Sequence, residues 1–471
     1  MHTIEQIFIN GEFVTPHGTE WFDLYNPATA RVIGQVRLAD EVDAERAVAA
    51  AKAAFPAWSQ TTKQERIAAL KRMHAAVAAR HDDLLEAVIE EYGAPASRSA
   101  WMASYPAEVI AQAIEALEAF EFVTSAGVAT VQMTPLGVAG LITPWNSDAG
   151  FICGKLAAAL AAGCTAVIKP SEMSALQTRI VTEALRDAAL PPGVFNIVTG
   201  RGETVGETIS RHPDVAKISF TGSTNTGRAI LRNAAESFKR VTLELGGKSP
   251  TILLDDVDLA QAIPLAIQAG FMNSGQACVA GTRILVPQAR KAEIETALAQ
   301  AVAAVKSGDP RDSATDVGPM VSEKQWQRVQ GYIRKGTEEG ARLLAGGEGR
   351  PDGTRDGWFV RPTLFADVNN QMTIARDEIF GPVLCVIPYR DEAEAIAIAN
   401  DTEYGLSAMV LGGDADRARR VAQQIVAGRV LVNTLAHEPK APFGGFKHSG
   451  VGREMGEWGI RSFMEPRSLL G

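Results

Sequence analysis

The chain has 471 residues, 46% of them apolar, and a net charge of −9 from 46 basic and 55 acidic side chains. This length supports about two to four domains with large cores. Because acidic and basic residues are interspersed, the composition excludes nucleic acid and anionic membranes as partners. The four cysteines, at 153, 164, 278 and 385, form no Cys-x-x-Cys pair and no zinc spacing, which indicates single thiols and no metal site.

The start of the chain lacks the basic residues and apolar core of a signal peptide. The longest apolar run, residues 156–168, is too short to cross a bilayer. We therefore expect a cytoplasmic protein that does not enter a membrane.

Helical and strand patterns alternate along the chain, which is typical of an α/β fold with parallel sheets. Asp40 is the predicted N-cap of an Ala-rich helix, which we expect to end at Phe55 because Pro56 follows. From residue 137 onward the alternation is regular and typical of a nucleotide-binding domain. The predicted elements there are strand 137–142, helix 151–162, strand 165–168, helix 176–189, strand 195–198, a short helix from 203 and strand 215–220. A second α/β series begins near residue 251 and continues to strand 429–433.

Cys278 lies in a small, glycine-punctuated stretch, Phe271-Met-Asn-Ser-Gly-Gln-Ala-Cys-Val-Ala-Gly-Thr-Arg283, that follows a helical run. A thiol on such a turn is accessible to a substrate. A buried structural cysteine is the alternative for any lone Cys. Two further segments favour catalysis, since Glu244 ends an apolar strand and could serve as a base, and the Asn146 amide could stabilise an oxyanion.

These segments belong to a longer series of motifs. The series comprises Ile142-Thr-Pro-Trp-Asn146, Lys169-Pro-Ser-Glu172, Phe220-Thr-Gly-Ser223, Val241-Thr-Leu-Glu-Leu-Gly-Gly-Lys-Ser-Pro250, the Cys278 stretch, Glu378-Ile-Phe-Gly-Pro382 and Pro442-Phe-Gly-Gly-Phe-Lys-His-Ser-Gly450. In this order they make the chain resemble the NAD(P)-dependent aldehyde dehydrogenase superfamily, from the Phe8-Ile-Asn-Gly-Glu-Phe13 opening to the last strand. Seven motifs in one order are far more specific than any single motif.

The resemblance implies an α/β fold with a Rossmann-type cofactor domain, an α/β catalytic domain and a β-ribbon oligomerisation arm. The expected NAD-binding domain is 1–116 with 136–246, the catalytic domain is 247–447, and the arm is 117–135 with 448–471. The arm implies a homodimer or homotetramer, because a protruding ribbon has exposed edges that a neighbouring copy can pair with.

The resemblance also implies the chemistry. Cys278 attacks an aldehyde to form a thiohemiacetal, whose oxyanion is stabilised by Asn146 and the Cys278 backbone N–H. Hydride transfer to the nicotinamide leaves a thioester on Cys278, and Glu244 acts as the general base for its hydrolysis. Lys155 resembles a lysine proposed to relay protons from the base, although a salt-bridged structural lysine is an equal alternative.

NAD is the expected cofactor. Gly222-Ser-Thr-Asn-Thr-Gly227 follows a strand and opens a helix, so its N–H groups could meet a pyrophosphate, although many such turns are only turns. Glu172 follows the second strand, where a carboxylate can accept hydrogen bonds from the ribose hydroxyls and repel the 2′-phosphate of NADP. The alternative is that Glu172 only caps the helix that starts near Ser174. Lys169 is expected to hydrogen-bond a ribose, unless it is simply an exposed lysine. Glu378 is expected to bind the nicotinamide ribose, and Phe380 to pack either near the nicotinamide ring or in the core. The full expected set is Thr143, Pro144, Trp145, Asn146, Lys169, Ser171, Glu172, Gly202, Phe220, Gly222, Ser223, Thr226, Glu244, Leu245, Gly246, Glu378 and Phe380.

The substrate site is expected to be roomy. Ser147 and Gly154 replace larger residues of many relatives, and Ala277 and Val279 flank the nucleophile with little volume. We therefore predict an aldehyde with a ring or other bulky group, with Phe151 either stacking on it or closing the space. Phe443 is the remaining expected lining residue. His437 and Lys440 suggest a polar or anionic tail on the substrate, with plain surface solvation as the alternative.

Other functions of the same fold are less well supported. A CoA-acylating enzyme would not need Glu244, and a non-catalytic relative would lack Cys278 or Glu244. A cysteine hydrolase without redox chemistry could use the same pair as a side reaction.

Overall fold

A computed structural model describes residues 1–354 and 356–471. Its α-helices are α1 (Glu41–Ser59), α2 (Lys63–Ala78), α3 (His81–Ala87), α4 (Ala96–Ala119), α5 (Asp148–Ala162), α6 (Ala175–Asp187), α7 (Glu207–Arg211), α8 (Thr224–Ala235), α9 (Leu259–Phe271), α10 (Lys291–Ala304), α11 (Glu323–Glu338), α12 (Thr373–Arg376), α13 (Glu392–Asn400), α14 (Ala415–Ala422) and α15 (Gly456–Arg461).

The strands in chain order are β1 (His2–Ile4), β2 (Ile7–Ile9), β3 (Glu12–Val14), β4 (Trp21–Asn26), β5 (Arg31–Arg37), β6 (Val123–Ala126), β7 (Ala129–Pro135), β8 (Val138–Ile142), β9 (Thr165–Lys169), β10 (Phe195–Ile197), β11 (Val215–Thr221), β12 (Arg240–Glu244), β13 (Pro250–Leu253), β14 (Arg283–Pro287), β15 (Arg342–Ala345), β16 (Thr363–Ala366), β17 (Val383–Tyr389), β18 (Ser407–Leu411), β19 (Arg429–Val432), β20 (Gly450–Val451) and β21 (Met464–Leu469).

The first sheet has the strand order β20-β12-β11-β8-β9-β10-β2-β3, and the strands from β12 to β10 run parallel. Every residue of β8 and β9 is buried. Their side chains alternate between two cores, with Leu141 and Ile168 packing toward α2, α4, α5 and α6, and Ile142 and Val167 toward α1, α7 and α8. A parallel sheet covered on both faces explains the near-continuous apolar strands. It confirms the predicted α/β class with a Rossmann-type sheet.

The second sheet has the order β15-β16-β17-β14-β13-β18-β19 and is parallel except for β15. All residues of β13, β14, β16 and β18 are buried. The nucleophile stretch joins α9 to β14, so the second sheet carries it to the edge of the first.

A third sheet is an antiparallel ribbon, β21-β7-β6, whose outer strand β6 is exposed along its whole length. The segment expected to form the arm after residue 448 is divided in the structure. β20 pairs with β12 in the first sheet, α15 packs on α4 and α5, and residues 464–469 alone join the ribbon. The fourth sheet is small, has the order β1-β5-β4 and is formed by strands within residues 2–37.

The expected end of the first helix at Phe55 is wrong. α1 continues through Pro56 to Ser59, after opening with a capping box between Asp40 and Asp43. Proline removes one N–H donor, which a last helical turn tolerates when its side chains are held by packing. Trp58, 5% exposed, provides that packing.

None of the helices formed by residues 1–354 and 356–471 is long and apolar enough to span a membrane.

Candidate active site

The carboxyl ends of four neighbouring strands reach the same edge of the first sheet. Ile142 pairs with both Lys169 and Phe220, and Thr221 pairs with Glu244. The residues that follow these strands therefore lie side by side. They are Thr143, Pro144, Trp145 and Asn146 after β8, Ser171 and Glu172 after β9, Gly222 and Ser223 after β11, and Leu245 and Gly246 after β12. This edge is where open α/β sheets bind their ligands.

The nucleophile stretch is held in a strained backbone conformation. Asn273, Ser274 and Gly275 have φ values of 56°, 58° and 75°, which are left-handed. Gln276 anchors the stretch because its amide donates to the Pro319 carbonyl at 3.3 Å and accepts from the Val321 N–H at 3.0 Å. Strain of this kind persists only where surrounding contacts determine it, and it is common at functional sites.

Asn146 is tied directly to this stretch. Its Nδ2 donates to the Gln276 carbonyl at 3.0 Å, and its own carbonyl accepts from Asn273 Nδ2 at 3.1 Å. The side-chain amide is thus held two residues from Cys278. The Cys278 carbonyl packs so closely on Gly247 that a Cβ there would lie 2.3 Å from the oxygen, so that position requires glycine.

Cys278 is partly exposed as a residue, although its thiol points inward, whereas Cys153, Cys164 and Cys385 are buried. Burial raises the pKa of Cys278 to about 12, and the negative charges of Glu378 and Glu244 add to that effect. The free thiol is therefore protonated near neutral pH, and it needs a base in order to act as a nucleophile.

Glu244 has the features of such a base. Its side chain is 3% exposed, and neither carboxylate oxygen has a hydrogen-bond partner among the described residues. Burial, followed by the charge of Glu454, raises its pKa well above the ordinary value of 4.5. A buried carboxylate that nothing satisfies is costly, so it marks a place where a substrate, water or proton is to be bound.

Lys155 lies in a buried polar network behind Glu244. Its Nζ donates to Ser219 Oγ at 3.0 Å and forms an ion pair with Glu454, which also accepts from Ser219 at 2.8 Å. Both charges act on the Glu244 carboxyl, Glu454 raising its pKa and Lys155 lowering it. Lys155 is thus a salt-bridged lysine whose charge acts on Glu244, and its role as a proton relay stays a prediction.

Glu172 faces two cations at the far end of the edge. It accepts from Lys169 Nζ and from Arg201 Nη1, each at 3.4 Å, and Arg201 also pairs with Glu20 at 2.7 Å. Helix α6 receives no side-chain cap from Glu172, and Ser171 caps the short turn before it by accepting from the Met173 N–H. Gly202 is open, because a Cβ there would meet no atom within 4 Å.

Helix α8 presents its amino end beside this site. Ser223 caps it by accepting from the Thr226 N–H at 3.2 Å, and both side chains are exposed. Phe220 lies under the turn, where a Cβ at Gly222 would come within 2.4 Å of the ring. The glycine turn therefore leaves free N–H groups at a helix amino end, which suits a phosphate.

Glu378 and Phe380 come from the second sheet to the same edge. Glu378 accepts from the Gly247 N–H at 3.0 Å, and a Cβ at Gly246 would lie 2.4 Å from its other oxygen. Burial raises the pKa of Glu378 to about 7. Phe380 has φ 62° and meets Trp145 edge to face at 5.5 Å, outside the apolar core.

The residues expected to contact substrate are not buried. Ser147, Phe151, Gly154, Ala277, Val279 and Phe443 are all partly exposed, and His437 is exposed. A Cβ at Gly154 would lie 3.6 Å from Val109 of α4, which is ordinary van der Waals contact. The space at Gly150 is filled by the ring of Tyr105 from α4, which also stacks on Trp101.

Residues 13–469 match the model of the aldehyde dehydrogenase family. This chain belongs to the aldehyde dehydrogenase family. It is 44% identical, over 100% of its length and 99% of the relative's, to a 3-succinoylsemialdehyde-pyridine dehydrogenase from a Pseudomonas species. It superposes with a TM-score of 0.98 on a mutant of aldehyde dehydrogenase C from Pseudomonas syringae in complex with NAD+ and octanal, at 44% identity and covering 100% and 97% of the two chains. An aldehyde dehydrogenase from Mycobacterium tuberculosis complexed with NAD+ gives a TM-score of 0.96 at 42% identity, covering 99% and 98%.

Aldehyde dehydrogenases are oxidoreductases, and the chain has that activity class. Three residues of this aldehyde dehydrogenase site were missed by the sequence reasoning. Glu454 pairs with Lys155, Tyr105 fills the space above Gly150, and Arg429 lies beside the nucleophile. Glu454 could have been noticed as a lone carboxylate beside Arg453, directly after the last glycine motif. Tyr105 and Arg429 carry no motif.

Proposed function

We propose that this protein oxidises an aldehyde to the carboxylic acid, with NAD as its cofactor and a thioester on Cys278 as the intermediate. The observation that supports it most is the buried, unpartnered Glu244 carboxylate beside a strained nucleophile stretch. When bound, NAD accepts the hydride that leaves the aldehyde carbon.

The chain's residues fit that cofactor. Glu172 and Lys169 would hold the adenosine ribose, the amino end of α8 the pyrophosphate, and Glu378 the nicotinamide ribose, with Phe380 near the ring. Glycine at 246 lets the Glu378 carboxylate approach, since a Cβ there would lie 2.4 Å from it, and a Cβ at Gly202 would meet no atom within 4 Å. A 2′-phosphate would have to displace Glu172 from both Lys169 and Arg201, which favours NAD over NADP.

Each protein group has a separate task. The Cys278 thiol must lose its proton before it attacks, because its raised pKa keeps it protonated; Glu244 can take that proton, but its main task is the later deacylation. The Cys278 N–H and Asn146 Nδ2 then stabilise the oxyanion, once substrate replaces the Gln276 carbonyl as the partner of Asn146. Glu244 afterwards activates the water that cleaves the thioester, and the pair Lys155 and Glu454 conducts protons away from it.

Three of the four sheets have separate roles in the proposed function. In our proposal the unit of the first sheet binds the cofactor, the unit of the second carries the nucleophile, and the ribbon joins copies into a homodimer or homotetramer. The exposed β6 edge supports the last role. A monomeric mass by light scattering at micromolar concentration would refute it.

The deciding experiment is NADH formation at 340 nm with NAD and a panel of aldehydes, each with and without CoA. We expect turnover that does not require CoA and yields the free acid. Strict dependence on CoA, or ester hydrolysis without any NADH, would assign the same Cys278 and Glu244 to a different reaction.

We further propose a bulky or ring-bearing aldehyde as substrate. The lack of a side chain at the partly exposed Gly154 supports it, and one relative is named for a pyridine-bearing semialdehyde. Each buried methylene is worth about 0.8 kcal/mol, so a ring gains roughly a hundredfold in kcat/KM over acetaldehyde. Gly154→Trp should lower benzaldehyde turnover while sparing acetaldehyde, and a wild type that prefers acetaldehyde would contradict the proposal.

A further inference from the structure

Arg429, the first residue of β19, is a half-buried cation with few partners. Its Nε donates to Ser407 Oγ at 3.3 Å, and its Cζ lies 5.9 Å from the centre of the Phe443 ring. Across residues 1–354 and 356–471, neither Nη atom donates a hydrogen bond and no carboxylate forms an ion pair with it. Four N–H donors of the guanidinium are therefore uncommitted.

The other buried arginines show how unusual this is. Arg283 is fully buried, and all three of its nitrogens donate, to the carbonyls of Lys248, Ile398 and Ala399 and to Asn370 Oδ1. Arg66 is 5% exposed and likewise donates from all three nitrogens. A structural arginine in this fold is thus satisfied by carbonyls, whereas Arg429 is not.

The position of Arg429 indicates what its free donors face. Together with Val279, the residue that directly follows Cys278, it lines one small internal cavity. Its charge also acts on Cys278 and on Tyr105 of α4. The guanidinium therefore lies near Cys278, beside Val279 and the ring of Phe443, two of the residues expected to contact substrate.

A second arginine strengthens the positive potential there. Arg98 stacks on Trp101 at 3.9 Å, and its buried Nε has no partner in the described part of the chain. Like Arg429 it acts on Tyr105. Two cations that form no ion pair in the described part of the chain thus act on the same phenol.

His437 and Lys440, which the sequence suggested for binding an anionic tail on the substrate, are less suited to it than Arg429. Lys440 pairs with Glu115 at 3.2 Å. Partial desolvation, followed by the charge of Arg429, lowers the pKa of His437, so the imidazole is neutral at physiological pH. An anion in the site would therefore meet Arg429 rather than the loop.

We infer that Arg429 binds an anionic group on the substrate, so that the preferred aldehyde also carries a carboxylate. This inference rests on the proposed function and narrows its substrate class to oxo acids. The planar guanidinium offers a carboxylate two parallel N–H donors, and such charged pairs are stronger than neutral hydrogen bonds. The bound carboxylate would give Arg429 the counter-ion that no described residue provides.

The experiment compares a series of ω-oxo carboxylic acids, with two to six carbons between the groups, against the corresponding ω-oxo amides. The amides have the same shape without the charge. For the acid of best length we expect kcat/KM about tenfold or more above that of its amide. Arg429→Met should bring this ratio close to one, and Arg429→Lys should restore part of it.

Arg419→Met is the matched control, because Arg419 is exposed on α14 and pairs only with Asp416. It should keep the wild-type ratio. Equal acid and amide values in the wild type, or an unchanged ratio in Arg429→Met, would overturn the inference.

A second measurement does not depend on turnover. Adipate should slow the alkylation of Cys278 by iodoacetamide in the wild type and in Arg419→Met, but not in Arg429→Met. If no aldehyde gives NADH while adipate still protects through Arg429, the proposed function fails and the anion site stands. If neutral aldehydes are oxidised and adipate does not protect, the anion site fails alone.

Discussion

Two buried carboxylates at the same edge of the first sheet have opposite surroundings. Asp148, the first residue of α5, is 0% exposed and accepts from the hydroxyls of Thr143 and Thr178, each at 2.8 Å. Glu244, the last residue of β12, is 3% exposed and accepts from no described residue. Burial raises the pKa of both, that of Asp148 to about 7. A satisfied carboxylate joins α5 to α6, whereas an unsatisfied one is available for chemistry.

The largest expected effect comes from replacing Cys278, the proposed nucleophile. Cys278→Ala should lower dehydrogenase turnover by on the order of 10³-fold or more, because every other described cysteine is buried. Steady-state kinetics and mass spectrometry of an acyl adduct measure this. Cys153→Ala, inside α5, should cost only about 1 kcal/mol of stability and keep the activity. Turnover above a few per cent in Cys278→Ala would show that the assignment is wrong.

Replacement of the unsatisfied carboxylate should affect chiefly the reaction rate. Glu244→Gln should slow turnover by about 10²–10⁴-fold, with a burst of NADH before slow deacylation, because the thioester lacks its general base. Stopped-flow absorbance detects the burst. A uniform loss with no burst and no trapped acyl-enzyme would place Glu244 in thiol activation alone.

The same variant gives a test by pH. Since the folded-state pKa of Glu244 is raised above 4.5, the folded protein retains a proton that the unfolded chain releases, and stability falls as pH rises above that value. Glu244→Gln removes this loss. Its melting temperature relative to wild type should therefore increase from pH 5 to pH 8, and a constant difference would contradict the raised pKa.

Replacement of the satisfied carboxylate should show the reverse pattern. Asp148→Ala leaves two buried hydroxyls without their acceptor, so it should reduce the free energy of unfolding by about 1–3 kcal/mol. Urea denaturation measures this loss. Asp82→Ala, at an exposed position on α3, should stay within about 0.5 kcal/mol. If Asp148→Ala were as stable as wild type but inactive, Asp148 would belong with Glu244 in the chemistry.

The smallest expected effect is on cofactor choice. Glu172→Gln should reduce the preference for NAD over NADP by about tenfold, because the ribose loses a charged acceptor and Lys169 and Arg201 become free for a 2′-phosphate. The ratio of kcat/KM for the two cofactors measures this. Glu207→Gln, at a partly exposed position on α7 where Glu207 pairs with Arg211, is the matched control. An unchanged ratio would mean that Glu172 only holds its two cations in place.

Local patterns in the chain determined the fold class and the centre of the site. The alternation of apolar strands and helices predicts the first sheet, because a strand covered on both faces must be apolar throughout. The glycine-punctuated stretch at Cys278 and the strand end at Glu244 are likewise local, since turn chemistry and strand length are set within a few residues. Helix α1 shows the limit of this reasoning, because the packing of Trp58 overrides the proline signal.

Tertiary structure alone decided which polar groups find partners. Lys155 meets Glu454 across 299 positions of sequence, and Ser219 meets it across 235. Glu244 and Arg429 differ from other buried charged residues because the described chain gives them few or no hydrogen-bond partners. A short sequence segment cannot reveal such a lack, because partners come from distant parts of the chain. Whether a buried polar group finds a partner depends on every element packed around it. The motifs therefore predict the nucleophile and base, while the folded chain decides the charges around them.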